Sequence, residues 1–371
     1  MTDTLLAHFV WAVVSILGGL LPVFMFVLGG NTVVRTLARD AEKRSDLDAF
    51  FSRMWFWPLV SLAVFIGMLC VAFPLYARVF VFKATGLWSA LLISFLLAAG
   101  AGLMKLSSRG WLRMAGFSLS TLVGIVCPLL VGTVFGCFFC GAPFLVEMTI
   151  DADGLFQPTG GVWLGQASGL EAFMILDNLL LGAALLYLAR ILSMLYLVRR
   201  GVSEEIHGRV RSLLLTEMIF FLVFFLAFVV RLCMRVGLVW SDGMFAGVFH
   251  KYLQNFVEMP AVAFFLVLGL GLLLFGIFRT IFRPDYRVGF LPAAVGTLFS
   301  FMALLLAAGL NNTPYLPSTQ DWQHSLSIAN SHASTGVLAI SLVAGILLLL
   351  VGALCFVFRL RRSARPGEEA R

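Results

Sequence analysis

Along this chain, long apolar stretches alternate with short polar connections. Nine such stretches run over about 8–34, 55–77, 85–104, 114–139, 165–197, 213–238, 257–278, 289–309 and 335–358. Each reaches the length of about 20 residues that an α-helix needs to cross a hydrocarbon core of about 30 Å. The strict alternation of a membrane β-barrel is missing, and backbone groups in lipid must be satisfied within their own segment. The pattern therefore predicts an all-α polytopic membrane protein of nine transmembrane helices, one helical domain over residues 1–371. Composition sharpens this: 61% of residues are hydrophobic, 12% are charged and 36 are Phe, which excludes a soluble globular domain.

Charge then gives orientation. Twenty of the 26 Lys and Arg residues fall in one set of connections: Arg35 to Arg53, Lys105 to Arg113, Arg199 to Arg211, Arg279 to Arg287, and the tail from Arg359 to Arg371. The other set holds only Arg78, Lys83, Arg235 and Lys251. By the positive-inside rule the N-terminus is expected outside and the C-terminus in the cytoplasm. The net charge of +7 is thus a topology signal spread over short loops, and no nucleic-acid partner is implied. The first span is too long for a signal-peptide core and is expected to be retained. No GxxxxGK[ST] occurs, so nucleotide hydrolysis by a P-loop is excluded.

The metal-ligating residue types are sparse at depth. Cys70, Cys127, Cys233 and Cys355 stand singly in apolar spans, where a thiol behaves as a small hydrophobe. Cys137 and Cys140 form a CFFC, a spacing shared by thiol-redox and zinc sites. Without a second CxxC, and with poor disulfide geometry one helical turn apart, packing is the favoured account. His8, His207, His250, His324 and His332 all fall in loops or at span boundaries, so a haem held by an intramembrane His is not expected on this polypeptide, nor is a metal site.

Ionisable residues inside spans are costly and mark function. On the fifth span Glu171 and Asp177 fall in the outer half and Arg190 in the inner third; on the sixth, Glu217 is near the cytoplasmic end and Arg231 is deeper. At about 1.5 Å per residue, Asp177 and Arg231 share a level roughly 10–13 Å below the outer ends, and Arg190 matches Glu217. Two readings follow: structural pairs Asp177–Arg231 and Arg190–Glu217, or a proton path through Glu171 and Asp177. Pairing is favoured because it relieves most of the cost of burial. Phe220, Phe221, Phe224, Phe225 and Phe228 recur at helical spacing and suit a packed or lipid-facing surface.

Several segments carry a family resemblance. PLLVGTVFGCFFCGAPFLVE, Pro128 to Glu147, has a P-x-x-x-G-x-x-x-G run leading into G-x-P-F; Leu155, Phe156 and Gln157 follow; and Tyr315-Leu316-Pro317-Ser318-Thr319 precedes Ser325-Leu326-Ser327-Ile328-Ala329-Asn330 and Ala333-Ser334. Together with nine spans and an outside N-terminus, they resemble subunit II of cytochrome bd-type quinol oxidases. Two departures stand out. Where the family's first helix ends in D-G-F-D-x-G-x-G, this chain has Phe24-Met25-Phe26-Val27-Leu28-Gly29-Gly30-Asn31. Where its second helix opens with H-W-D-G-N-E/Q-V-W, this chain has Met54-Trp55-Phe56-Trp57-Pro58-Leu59-Val60-Ser61. Phe56 stands where the family places an acidic residue associated with proton entry, so that route does not carry over.

The resemblance implies a haem-free subunit in a bacterial cytoplasmic (inner) membrane. Its partner would be a haem-bearing subunit I holding haems b and d and the quinol site and reducing dioxygen to water. It also implies room for a structural quinone and for a small single-span subunit. Two rivals remain: a scaffold or assembly subunit of a bd-like complex, and a secondary transporter with helices broken at Pro128 and Pro260, for which no internal symmetry is visible.

Overall fold

The computed structural model describes residues 2–38, 40–52, 54–107, 109–150, 156–241, 243–282 and 288–363; Arg39, Arg53, Leu155, Arg283, Arg287, Arg365 and Arg371 lie outside them. Among the described residues eight helical spans are long and apolar enough to cross a membrane, or nine if a helix pair bent by 110° counts as one span. The first is α1 (Thr2–Phe24) continued by α2 (Phe26–Leu37), with a break at Met25 three residues after Pro22, whose ring removes one ladder hydrogen bond. A polar helix α3 (Ala41–Ser52) follows, then α4 (Phe56–Ala72). The apolar stretch expected as a span over about 55–77 turns by 110° between α4 and the short α5 (Pro74–Tyr76), which runs on as a π-turn to Val81. Pro74 explains this: it offers no N–H to α4, and the preceding Phe73 leaves helical geometry at φ −126°, ψ 74°.

The remaining spans are α6 (Thr85–Lys105), α7 (Gly110–Cys140), α8 (Leu176–Arg200), α9 (Glu204–Met234), α11 (Pro260–Phe282), α12 (Phe290–Gly309) and α14 (Thr335–Ser363), with a short α10 (Lys251–Glu258) ahead of α11 and α13 (Ile328–Ser331) ahead of α14. The fifth span begins eleven residues later than the apolar stretch at 165, because Ser168 and Gly169 both take positive φ (48° and 97°) and turn the chain before the helix starts. Pro128 lies inside an unbroken α7, and Pro260 is the first residue of α11, where a missing N–H costs nothing. Neither proline interrupts a long span; the breaks fall instead at Met25 and between Ala72 and Pro74.

Helix α8 is the axis of the bundle, packed against α2, α7 and α9. Small residues let it approach closely: a Cβ on Gly132 of α7 would lie 2.2 Å from the Gly182 Cα, and one on Gly29 of α2 only 2.3 Å from the Ala189 carbonyl. Without a hydrophobic drive between helices in lipid, such backbone approach is the main source of packing. The CFFC cysteines at the end of α7 are buried in this contact region. On α9, Phe221, Phe225 and Phe228 are buried, while Phe220 and Phe224 stack on Tyr187 at 5.1 and 5.7 Å.

One end of the bundle carries two antiparallel hairpins, β1 (Phe144–Ile150) with β2 (Phe156–Trp163), and β3 (Gly237–Ser241) with β4 (Met244–Val248). The 310–334 segment ties them together. Trp240 N donates to Asn312 O at 2.8 Å, Ala142 N to Pro317 O at 3.0 Å, and Val146 N to His324 Nδ1 at 2.9 Å. Tyr315 anchors this segment to the core, stacked on Trp11 at 5.0 Å, with its hydroxyl donating to Ser331 Oγ at 2.5 Å. The N-terminus is at the same end, since Thr335 Oγ1 donates to Asp3 Oδ1 at 2.9 Å. We call this the hairpin side.

Candidate functional site

Polar chemistry in the bundle gathers at the hairpin side and in the half of the bundle away from it. Opposite the hairpins, Arg190 of α8 meets Glu217 of α9 in a bidentate pair, Nε–Oε2 at 2.9 Å and Nη2–Oε1 at 2.5 Å. Its Nη1 donates to Thr32 Oγ1 at 3.2 Å, and that hydroxyl donates on to Gly29 O at 2.7 Å. Next along α2, Asn31 Oδ1 accepts from Lys105 Nζ at 2.8 Å, and Lys105 pairs with Asp48 Oδ1 of α3 at 2.7 Å. Lys105 and Asp48 are only 3% and 5% exposed, so each is the other's main compensation for leaving water. Consecutive residues of α2 thus link two ion pairs drawn from four other helices.

At the hairpin side, Asp177 is the second residue of α8. Arg231 Nε donates to its Oδ1, and Arg235 Nη1 to its Oδ2 at 2.9 Å. Arg235 also reaches the Cys140 Sγ at 3.6 Å and the Cys140 carbonyl at 3.2 Å through its two terminal nitrogens. The Cys140 thiol is 3.8 Å from Asp177 Oδ2. Asn178 beside it donates to Ala172 O at 2.8 Å.

These positions change the depth picture drawn from sequence. Because α8 starts at Leu176 and Arg231 is three residues from the end of α9, Asp177 and Arg231 sit at the bundle's edge and not 10–13 Å within it. Glu171 is outside the helix altogether. It lies in a 3₁₀ turn, Leu170–Met174, where its carboxylate accepts from Trp163 Nε1 and Gly169 N, both at 2.9 Å. Glu171 and Asp177 therefore occupy the same end and do not span the thickness of the bundle.

Three participants were not read from the sequence. Lys105 and Arg235 count there as loop cations, and Asp48 lies in a polar connection between the first two spans. A usable signal existed only for Asp48, in the apolar Leu47, Phe50 and Phe51 around it, which marks α3 as a helix with one buried face.

The two altered motifs have structural occupants. Gly29 serves the close approach to Ala189 described above. Phe56 packs its ring 5.0 Å from Trp57, which stacks on Phe24 at 5.4 Å, and Trp55 covers Gly102. This corner is aromatic and offers no titratable group at position 56.

Four of the five histidines lie at the hairpin side. His8 and His332 hydrogen-bond to the backbone carbonyls of Thr4 and Ala333, His250 to that of Cys233, and His324 to Val146 N. His207 lies at the other end, in the first turn of α9, 3.9 Å from Glu204. Among the described residues, no group of three or more His, Cys, Asp or Glu is placed to hold a metal ion.

Comparison with known proteins resolves the fold and the family. The structure of bd oxidase from Geobacillus thermodenitrificans contains a chain that superposes with a TM-score of 0.64 at 18% identity, covering 97% of this chain and 98% of that one. No curated protein sequence matches. The sequence profile of cytochrome bd terminal oxidase subunit II matches residues 6–361, nearly the whole chain. An all-α bundle with up to nine crossings, the motif-bearing 310–334 segment locked into its cap, and a match of that extent lead to one assignment: the chain belongs to the cytochrome bd terminal oxidase subunit II family.

Proposed function

We propose that this chain is the haem-free subunit II of a quinol:dioxygen oxidoreductase in a bacterial cytoplasmic membrane, its hairpin side outward. A haem-bearing subunit I is its partner and carries quinol oxidation and the reduction of dioxygen to water. The observation that carries the reading is the placement of the histidines within a bundle of this family. None of the five lies in the middle of a long span, where a haem buried in the bilayer takes its axial histidine, so this reading assigns the redox chemistry to the partner. The outward direction of the hairpin side rests on the basic connections at the opposite end.

In this reading the ion pairs hold the bundle and are not a proton conduit. Arg190–Glu217 and Lys105–Asp48 are each neutralised within the chain, and Asp177 is clasped by two guanidinium groups. A carboxylate so held is a poor relay, since protonating it forfeits charge-assisted bonds. The test is to tag this chain in its native membrane and purify what comes with it. A haem-bearing partner and quinol-driven oxygen uptake are expected. A haem-containing complex with no quinol-dependent uptake would establish the scaffold reading instead.

A further inference from the structure

The hairpin-side cluster is unbalanced, and the imbalance faces outward. Arg231 and Arg235 share a single carboxylate, leaving one net positive charge among the three ionised side chains. Asp177 has both oxygens engaged and is 8% exposed, and Arg235 spends its terminal nitrogens on Asp177 and Cys140. Arg231 differs. Its side chain is 49% exposed, and only Nε reaches Asp177; among the described residues no acceptor meets its two terminal nitrogens.

Its setting is apolar. Val230 and Met234 on the same helix are exposed, as are Met174 just ahead of α8 and Leu176 at its first position. Arg231 is three residues from the end of α9, so its Cα lies about 5 Å short of the helix terminus, the part of a spanning helix nearest the lipid headgroups. A guanidinium there gains most from an anionic oxygen acceptor, and its planar fork fits two phosphate oxygens.

We infer that Arg231, backed by Arg235, binds the phosphodiester of an anionic phospholipid in the hairpin-side leaflet, its acyl chains lying along Val230, Met234 and Leu176. Charge complementarity selects the occupant: the cluster carries +1 and the phosphodiester of phosphatidylglycerol −1, whereas phosphatidylcholine is neutral overall. The inference needs only the membrane-embedded bundle and stands apart from the oxidase reading.

The test is native mass spectrometry of the intact complex titrated with 1-palmitoyl-2-oleoyl-phosphatidylglycerol, with the phosphatidylcholine analogue in parallel. The wild type is expected to retain one phosphatidylglycerol that R231Q holds about tenfold more weakly, the worth of one charge-assisted fork. R231K keeps the charge without the fork and should fall between them, and it serves alone should R231Q fail to assemble. K83Q removes an exposed charge from the same side and should leave affinity unchanged. Equal affinity across wild type, R231Q and R231K would overturn the inference. So would equal retention of phosphatidylcholine, or a complex that takes up no such lipid because the partner subunit covers Arg231.

Discussion

The two ends of this bundle solve the problem of charge in a membrane differently. Opposite the hairpins, Lys105–Asp48 is buried and Arg190–Glu217 largely so, and α2 supplies Asn31 and Thr32 to their hydrogen bonding. At the hairpin side Asp177 is shared by two arginines that remain 49% and 35% exposed. The first arrangement is closed and complete within the chain, so it serves the fold. The second leaves donors pointing outward, so it can serve a neighbour. Position explains the difference: a charge within several helices has only protein to answer it, whereas one at the bundle edge has headgroups and water.

The largest effect should come from opening the closed end. Lys105→Met leaves Asp48 buried without its cation and is expected to destabilise the chain by about 3–5 kcal/mol, while Lys105→Met with Asp48→Leu should recover most of that loss. Denaturant unfolding in detergent of the two singles and the double measures this, and an additive double would break the claim that they act as one pair. Glu217→Gln should cost less, about 2 kcal/mol, because Arg190 is 19% exposed and keeps its bond to Thr32. The same unfolding series ranks it against Lys105→Met, and a larger loss for Glu217→Gln would reverse the order of burial argued here.

Gly29→Ala tests the backbone seam between those pairs. A methyl 2.3 Å from the Ala189 carbonyl must push α2 off α8, at a cost of about 1–3 kcal/mol, read as a lower melting temperature. Arg231→Gln, at the open end, should change unfolding by under about 1 kcal/mol in neutral detergent, as for other exposed pairs. A loss comparable to that of Lys105→Met would erase the contrast between the two ends.

Much of the architecture was legible because lipid imposes long apolar runs, and because the 315–334 motif specifies a cap rather than a catalytic group: Tyr315 anchors it and Ser318 and Ser325 fasten its turns. What was not legible came from local backbone geometry. Residues 165–175 are apolar enough to extend a span, yet Ser168 and Gly169 turn the chain, and the starting point of α8 moves Asp177 to the edge and Glu171 out of the helix. Level matching along the α8–α9 hairpin could place Arg190 opposite Glu217, since both lie deep in regular helix. It could not reveal Lys105 with Asp48, because their encounter depends on a polar helix folding back under α6, and no periodicity within either segment encodes that.

The most direct test of the account concerns Asp177, the residue for which structural and proton-path readings diverge most. In the intact complex, Asp177→Asn removes the titratable group while keeping size and a hydrogen-bonding oxygen. Quinol-driven oxygen consumption, expressed per haem, should stay at the wild-type value while the complex loses haem at a lower temperature. A complex with full haem content and wild-type heat resistance whose turnover per haem collapses would contradict the structural role and return Asp177 to the proton path.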